Sequence, residues 1–217
     1  MGTSERDINI TGYSLWLQFL LDRYGDKIKG YMSLDLFPKN RQDRAEILET
    51  AELSIRNTQY MFSEGLTPIP VWKTFWPIDI LDYYCSLSEY VAIGGLVGYQ
   101  GGKSALRHLF ERLYKKYPDN VFHMLGVGIR AVMAFKTFRP YSIDFSTWSV
   151  AARYGHNIVL DDKQYLKEVA LPDEEKERIR KDPVFMKEVV QQNIRSCMSL
   201  EDYVETLNEP HQLQMMY

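Results

Sequence analysis

The chain has 217 residues and a formal net charge of -3, with 45% hydrophobic and 25% charged residues. This composition excludes a mainly disordered chain, the charge excludes a global basic field, and no apolar run reaches the roughly 18–20 residues of a membrane span. Two cysteines, Cys85 and Cys197, are too few for a disulfide scaffold, and the polar start Met1-Gly-Thr-Ser-Glu-Arg-Asp has no signal-peptide core, so a cytoplasmic protein is expected.

Residues 9–24 read as a helix, with Thr11 as a candidate cap and Tyr13, Leu17, Leu20 and Leu21 on its apolar face. Short apolar runs follow at Gly30–Leu34, Thr67–Val71, Tyr90–Ile93, Val121–Leu125, Tyr141–Ile143 and Asn157–Leu160, bounded by Gly, Pro, Asn or Asp as buried strands are. Helical period lies between them. One stretch holds Ala45, Leu48, Ala51, Leu53, Ile55 and Met61; another holds Leu106, Leu109, Phe110, Leu113 and Tyr117. Asp79, Ser104 and Ser146 are candidate caps. After Leu160 the chain reads as charged helices, with Pro172 and Pro183 marking starts and Leu200–Leu207 forming a last short one.

Strand–helix alternation predicts parallel strands joined by crossover helices. No nucleotide-binding glycine signature is present, which favours a (β/α)8 TIM-like barrel over a doubly wound sheet. No strand precedes the first helix, so the barrel is expected to lack its first one or two strands. Residues 1–160 would form this partial barrel as the catalytic domain, and residues 161–217 a charged helical extension.

In a parallel barrel the C-terminal ends of the strands share one mouth. The residues there are Asp35, Trp72, Gly94-Gly95, Gly126-Val-Gly128 and Asp144. Each has a plainer reading: Asp35 as a helix cap, Gly94-Gly95 as a tight turn, His123 as a hydrogen-bonded core residue, Asn57 as a surface residue. Of the tryptophans, Trp16, Trp76 and Trp148 read as core, and Trp72 is the one placed to stack on a ligand. The cysteines lie far apart without a CxxC partner, and there is no Walker A loop, GxSxG elbow or HExxH. Neither metal nor cofactor is expected.

Three segments resemble the tRNA-guanine transglycosylase superfamily, and within it the phage and bacterial branch that inserts 7-deazaguanines into DNA. Val91-Ala-Ile-Gly-Gly-Leu-Val-Gly98 resembles the VAIGGL-x-VG base-binding turn, one residue short before the final glycine. His123-Met-Leu-Gly-Val-Gly128 resembles the YLMGVG strand end. Tyr141-Ser-Ile-Asp-Phe-Ser-Thr-Trp148, with Ala152-Arg-Tyr-Gly155, is similar to the strand of the nucleophilic aspartate and the later AR-x-G, closest to the SVDSTSW form of the DNA-directed branch. Gly30–Asp35, Asn57 and Gly65–Val71 add a weaker match, and the whole spans residues 10–160.

The resemblance implies a pentosyltransferase that exchanges guanine in DNA for a 7-deazaguanine base, with Asp144 as the nucleophile that holds the sugar covalently. It implies that Asp35 reads the N1–H and 2-amino donors of guanine, and that the Gly94, Gly95 and Leu96 amides meet O6. Leu125 occupies the place of a methionine that floors the base, next to Gly126. DNA is then the expected partner, with tRNA as the alternative. Charge is uneven along the chain: residues 97–139 carry eight basic residues against two acidic ones, and residues 160–217 carry eight against thirteen. Lys103, Arg107 and Arg130 are the candidate phosphate contacts; the plain reading of this stretch is a solvated helix face.

Three departures accompany the likeness. The upstream SGGFQ-like or SGAF-like loop with its second catalytic aspartate has no counterpart before Asn9, so a longer product, a partner chain supplying that piece, or a degenerate relative is expected. The CxCxxC zinc site of the tRNA enzymes is missing, and Trp72 stands where a polar residue is usual. The competing readings are a tRNA-directed enzyme, an inactive nucleic-acid-binding barrel subunit, and an unrelated (β/α) enzyme of sugar or nucleotide chemistry.

Overall fold

The computed structural model describes residues 9–96, 102–127, 140–144 and 146–206. It is a mixed α/β fold containing a parallel sheet, and it divides into two compact units: Met1–Gly98 with Leu113–Leu125, and Tyr99–Arg112 with Gly126–Tyr217. Among the described residues no closed barrel forms, and no helix is long and apolar enough to cross a membrane.

In the first unit, Asn9 opens α1 (Ile10–Tyr24) by accepting a hydrogen bond from the Thr11 N–H, and so takes the capping role expected of Thr11. Leu17 packs with Met61 and Leu66, while Leu15, Trp16 and Phe19 stay exposed, so Trp16 is not core. Asp43 caps α2 (Arg44–Ser63) by accepting from the Ala45 and Glu46 N–H groups. Ala51, Ser54, Thr58 and Met61 form the buried stripe of α2 at helical spacing.

The strands run parallel and in consecutive order. The Gly30–Leu34 run contributes one bridge, Met32 to Ile69, flanked by hydrogen bonds between Ser33 N and Ile69 O (2.9 Å) and between Ile69 N and Tyr31 O (2.8 Å). β1 (Val71–Lys73) pairs with β2 (Tyr90–Gly94), placing Trp72 opposite Ile93 and Lys73 opposite Gly94. β2 then pairs with β3 (Val121–Met124), with Val91 opposite Phe122. Val91, Ala92 and Ile93 are fully buried, as a central parallel strand requires. α3 (Ile78–Leu87) connects β1 to β2, and α4 (Gly102–Lys116) connects β2 to β3. The end of α4 is fastened within this unit: Tyr117 donates to Asp82 Oδ1 at 2.7 Å, Lys116 pairs with the same carboxylate, and Tyr114 meets Phe122 edge-on.

The second unit departs from the expected parallel alternation. After β4 (Ser142–Ile143) and α5 (Thr147–Arg153), β5 (His156–Leu160) pairs antiparallel with β6 (Leu166–Ala170), a strand the sequence reading assigned to helix. The reason is local turn chemistry. Gln164 adopts φ +60°, its N–H donates to Asp161 O, and Asp161 N donates to Tyr165 O. Asp161 Oδ1 accepts from the Lys163 and Tyr165 N–H groups. This is a three-residue hairpin loop, which returns the chain directly and leaves no crossover. α6 (Asp173–Lys181) and α7 (Pro183–Thr206) begin where Pro172 and Pro183 place them, and α7 runs through the Leu200 region without a break. Ala152, Leu171, Ile179 and Val189 form the core.

Asn193 on α7 is fully buried and pins this unit. Its Oδ1 accepts from the Ile158 N–H at 2.6 Å, and its Nδ2 donates to Trp148 O (3.0 Å) and His156 O (3.2 Å). Asn193→Leu keeps the volume but takes this partner from the Ile158 N–H and the His156 carbonyl, a loss of about 1–3 kcal/mol for each group left unpaired. A loss of at least about 2 kcal/mol is expected in urea unfolding, and a loss under about 0.5 kcal/mol would contradict this role.

Candidate functional site

The first unit gathers a charged cluster where its strands end. Asp35 sits just past the bridged backbone at Tyr31–Ser33, and α2 holds the chain on both sides of it. Asn57 Nδ2 donates to Leu34 O at 3.1 Å, and the Leu36 N–H donates to Ser54 Oγ at 2.9 Å. Asn57 is therefore a half-buried clamp and not the surface residue expected.

Lys73 ends β1 with a side chain fully removed from solvent. Its Nζ lies 2.7 Å from Asp35 Oδ2 and also donates to Leu36 O. The ammonium sits 3.2 Å from the centroid of the Phe37 ring and 4.9 Å from that of Trp76. Burial holds its pKa below the ordinary lysine range, and the adjacent Asp35 charge opposes that fall. The Asp35 side chain is 22% exposed, so one side of the carboxylate remains open.

Beside this pair lies the turn after β2. Gly95 has φ +76°, and a Cβ there would fall 2.9 Å from Thr74 Oγ1 and 3.0 Å from the Phe75 ring. Both conditions demand glycine. Thr74 engages the carbonyl side of the turn, its N–H donating to Gly94 O and its Oγ1 to Gly95 O, each at 3.1 Å. Leu96 is buried. Arg41 stacks over Phe37 and Phe75, with centroid distances of 5.8 and 5.5 Å. Leu125 is half-buried against Ile69, Val71 and Ala92, and its N–H donates to Ile93 O.

The structure thus brings Asp35 and Gly94 together through Lys73, which the sequence reading passed over. Trp72 was expected at the mouth; instead it is buried, and its indole N–H donates to Pro77 O at 3.0 Å. The strand runs two residues beyond Val71, and alternation then puts Trp72 on one face and Lys73 on the other. The signal was present in the sequence: a lysine closing the apolar run Ile69-Pro-Val-Trp72.

In the second unit Asp144 is exposed and anchored. Its Oδ1 accepts a hydrogen bond from the Gly126 N–H, and its carbonyl accepts from the Val127 N–H at 3.0 Å. Gly126 has φ +64°, and this conformation presents its N–H to the carboxylate. Gly155, part of the AR-x-G likeness, is held by packing: φ is +74°, and a Cβ would fall 2.5 Å from Lys176 Cγ.

Of the candidate phosphate contacts, Arg107 is half-exposed on α4 and paired with Glu111 at 2.9 Å. Lys103 lies in the first turn of α4; Arg130 and Gly128 lie outside the described residues. His123 is buried in β3, in line with a core role. Burial pushes the Cys85 thiol up to about 12 and that of Cys197 up to about 11, so neither is a thiolate nucleophile near neutral pH. Among the described residues no three His, Cys, Asp or Glu side chains gather as a metal site.

The chain matches no model of a known protein family, and no curated protein shows significant similarity to it.

Proposed function

We propose that this protein is a base-exchange transglycosylase that replaces guanine in DNA with a 7-deazaguanine. The observation that carries the reading is the Asp35 carboxylate at the ends of consecutive parallel strands, ion-paired to buried Lys73 beside the Gly94-Gly95 turn. A carboxylate accepts hydrogen bonds and donates none, so it selects a ligand edge made of adjacent N–H groups, which guanine supplies at N1 and its 2-amino group. The consecutive strand order supports a partial (β/α) barrel, since a doubly wound sheet reverses order at its switch point.

In this reading Asp35 and the Gly94–Leu96 backbone recognise the base, and the resemblance of its strand gives Asp144 the nucleophile's role. The Asp144 carboxylate attacks C1′, the bond from C1′ to guanine N9 breaks, and the departing guanine takes up a proton. The incoming 7-deazaguanine loses its ring N–H proton, bonds to C1′ and releases the carboxylate. The resemblance of Tyr141–Trp148 to the nucleophile strand supports this role for Asp144, as does its exposure.

The test is incorporation of radiolabelled guanine into a guanine-containing DNA oligonucleotide, with unmodified tRNA in a parallel arm. Label retained by the DNA after desalting is the expected result. Label in tRNA alone would overturn the choice of DNA, and label in neither would overturn the transglycosylase reading.

A further inference from the structure

We infer that Lys73 is a positioning residue that orients the Asp35 carboxylate and thereby sets the preference of the site for bases bearing an exocyclic amine next to a ring N–H. The inference rests on the reading of Asp35 as a base acceptor and extends it to a residue which that reading does not use.

Three observations point the same way. First, Lys73 is the terminal residue of a buried strand, where an apolar side chain would satisfy packing alone. A charge in that place is costly unless paired, and its partner is a single carboxylate. Second, the ammonium has little freedom. The Leu36 carbonyl accepts one of its hydrogen bonds, the Phe37 and Trp76 rings face it, and Gly94 across the strand pair lies against its stem, a Cβ there falling 3.6 Å from Lys73 Cγ. Third, Leu36 and Phe37 immediately follow Asp35 in sequence. Lys73 therefore grips both the carboxylate and the backbone beside it, while α2 grips that backbone through Asn57 and Ser54.

The chemistry follows from the donor count. An ionised carboxylate offers about four lone-pair sites, of which Lys73 takes one on Oδ2. The others remain acceptors, fixed in one plane by the ion pair. A base with two adjacent donors satisfies two of them. A base lacking the amine leaves one unpaired in a partly dry site, and that asymmetry is the source of discrimination.

The experiment measures equilibrium binding of 7-deazaguanine and 7-deazahypoxanthine, which differ only in the 2-amino group. Lys73→Met is the main variant, because methionine keeps an unbranched apolar stem against Gly94 while removing the ammonium. The wild-type protein is expected to prefer 7-deazaguanine by about tenfold or more. In Lys73→Met that ratio should fall to about threefold or less, with 7-deazaguanine binding losing most; Lys73→Arg should restore part of it. A purely structural lysine would weaken both ligands alike and leave the ratio unchanged, which would overturn the inference while the base reading stands. A wild-type protein that binds both ligands equally, or neither, would overturn the base reading and the inference with it. Should Lys73→Met fail to fold, the comparison moves to the Asp35→Asn background, where no carboxylate remains to be oriented. There Lys73→Met should leave the binding ratio unchanged, and a further fall would overturn the inference.

Discussion

Asp35→Ala is expected to destabilise the protein by about 3–5 kcal/mol at neutral pH, far more than an average surface change. The cause is Lys73, not the lost aspartate contacts. With the carboxylate gone, a fully buried ammonium keeps, among the described residues, the Leu36 carbonyl and two aromatic faces. Asp35 is 22% exposed and Lys73 not at all, so the reverse change, Lys73→Met, leaves a carboxylate that water can reach and should cost less. The loss in Asp35→Ala also has a signed pH dependence. Burial already lowers the Lys73 pKa from its ordinary 10.5, and the Asp35 charge opposes that fall. Removing Asp35 lowers the folded-state pKa further. Between the folded value and 10.5 the unfolded chain then binds the extra proton, and stability rises with pH. The gap between variant and wild type should therefore be widest at neutral pH and narrow as pH climbs toward 10.5. Urea unfolding at a series of pH values checks this. A gap that widens on the alkaline side would refute the buried-charge account.

Asp144→Asn is expected to abolish base exchange, by about ten-thousandfold or more, while leaving the fold intact. Asparagine retains an oxygen to accept from the Gly126 N–H, and the Val127 contact uses the backbone carbonyl, which the substitution does not touch. The carboxamide cannot attack C1′ as a carboxylate does. The kinetic loss should therefore come with an unchanged melting temperature and, in denaturing gels, no protein–DNA adduct where the wild type shows one. Exchange at a tenth of the wild-type rate would remove Asp144 from the nucleophile role.

How far the sequence could be read depended on where each residue finds its partner. β2 and β3 were legible because Tyr90–Ile93 and Val121–Leu125 are apolar runs between turn residues, buried by strands like themselves. β1 was placed two residues early, since Pro68 and Pro70 mark the start of the run and Lys73 looks like its polar end. The partner that makes Lys73 a strand residue, Gly94 of β2, is 21 positions away, and no local pattern reports it. β6 was missed for the opposite reason. Four of its five residues are exposed, so Leu166-Lys-Glu-Val-Ala carries no apolar alternation to read. Asp35 and Gly95 could be picked out because a carboxylate and a glycine stand just beyond short apolar runs. The anchoring of Asp144 by Gly126 spans 18 positions and needed coordinates.

The single amide of Asn193 has a consequence for the order in which the second unit is made. Ile158 precedes Asn193 by 35 residues, and Trp148 precedes it by 45. On a ribosome adding about 5–20 residues per second, the β5–β6 hairpin is complete while α7 is still unsynthesised, and Ile158 waits roughly 2–7 s for the oxygen that will accept its N–H. Through that interval the hairpin has its turn and its ladder but lacks the helix that closes over β5. The nascent chain passes through a stage with an uncovered strand face, and the emergence of α7 ends it.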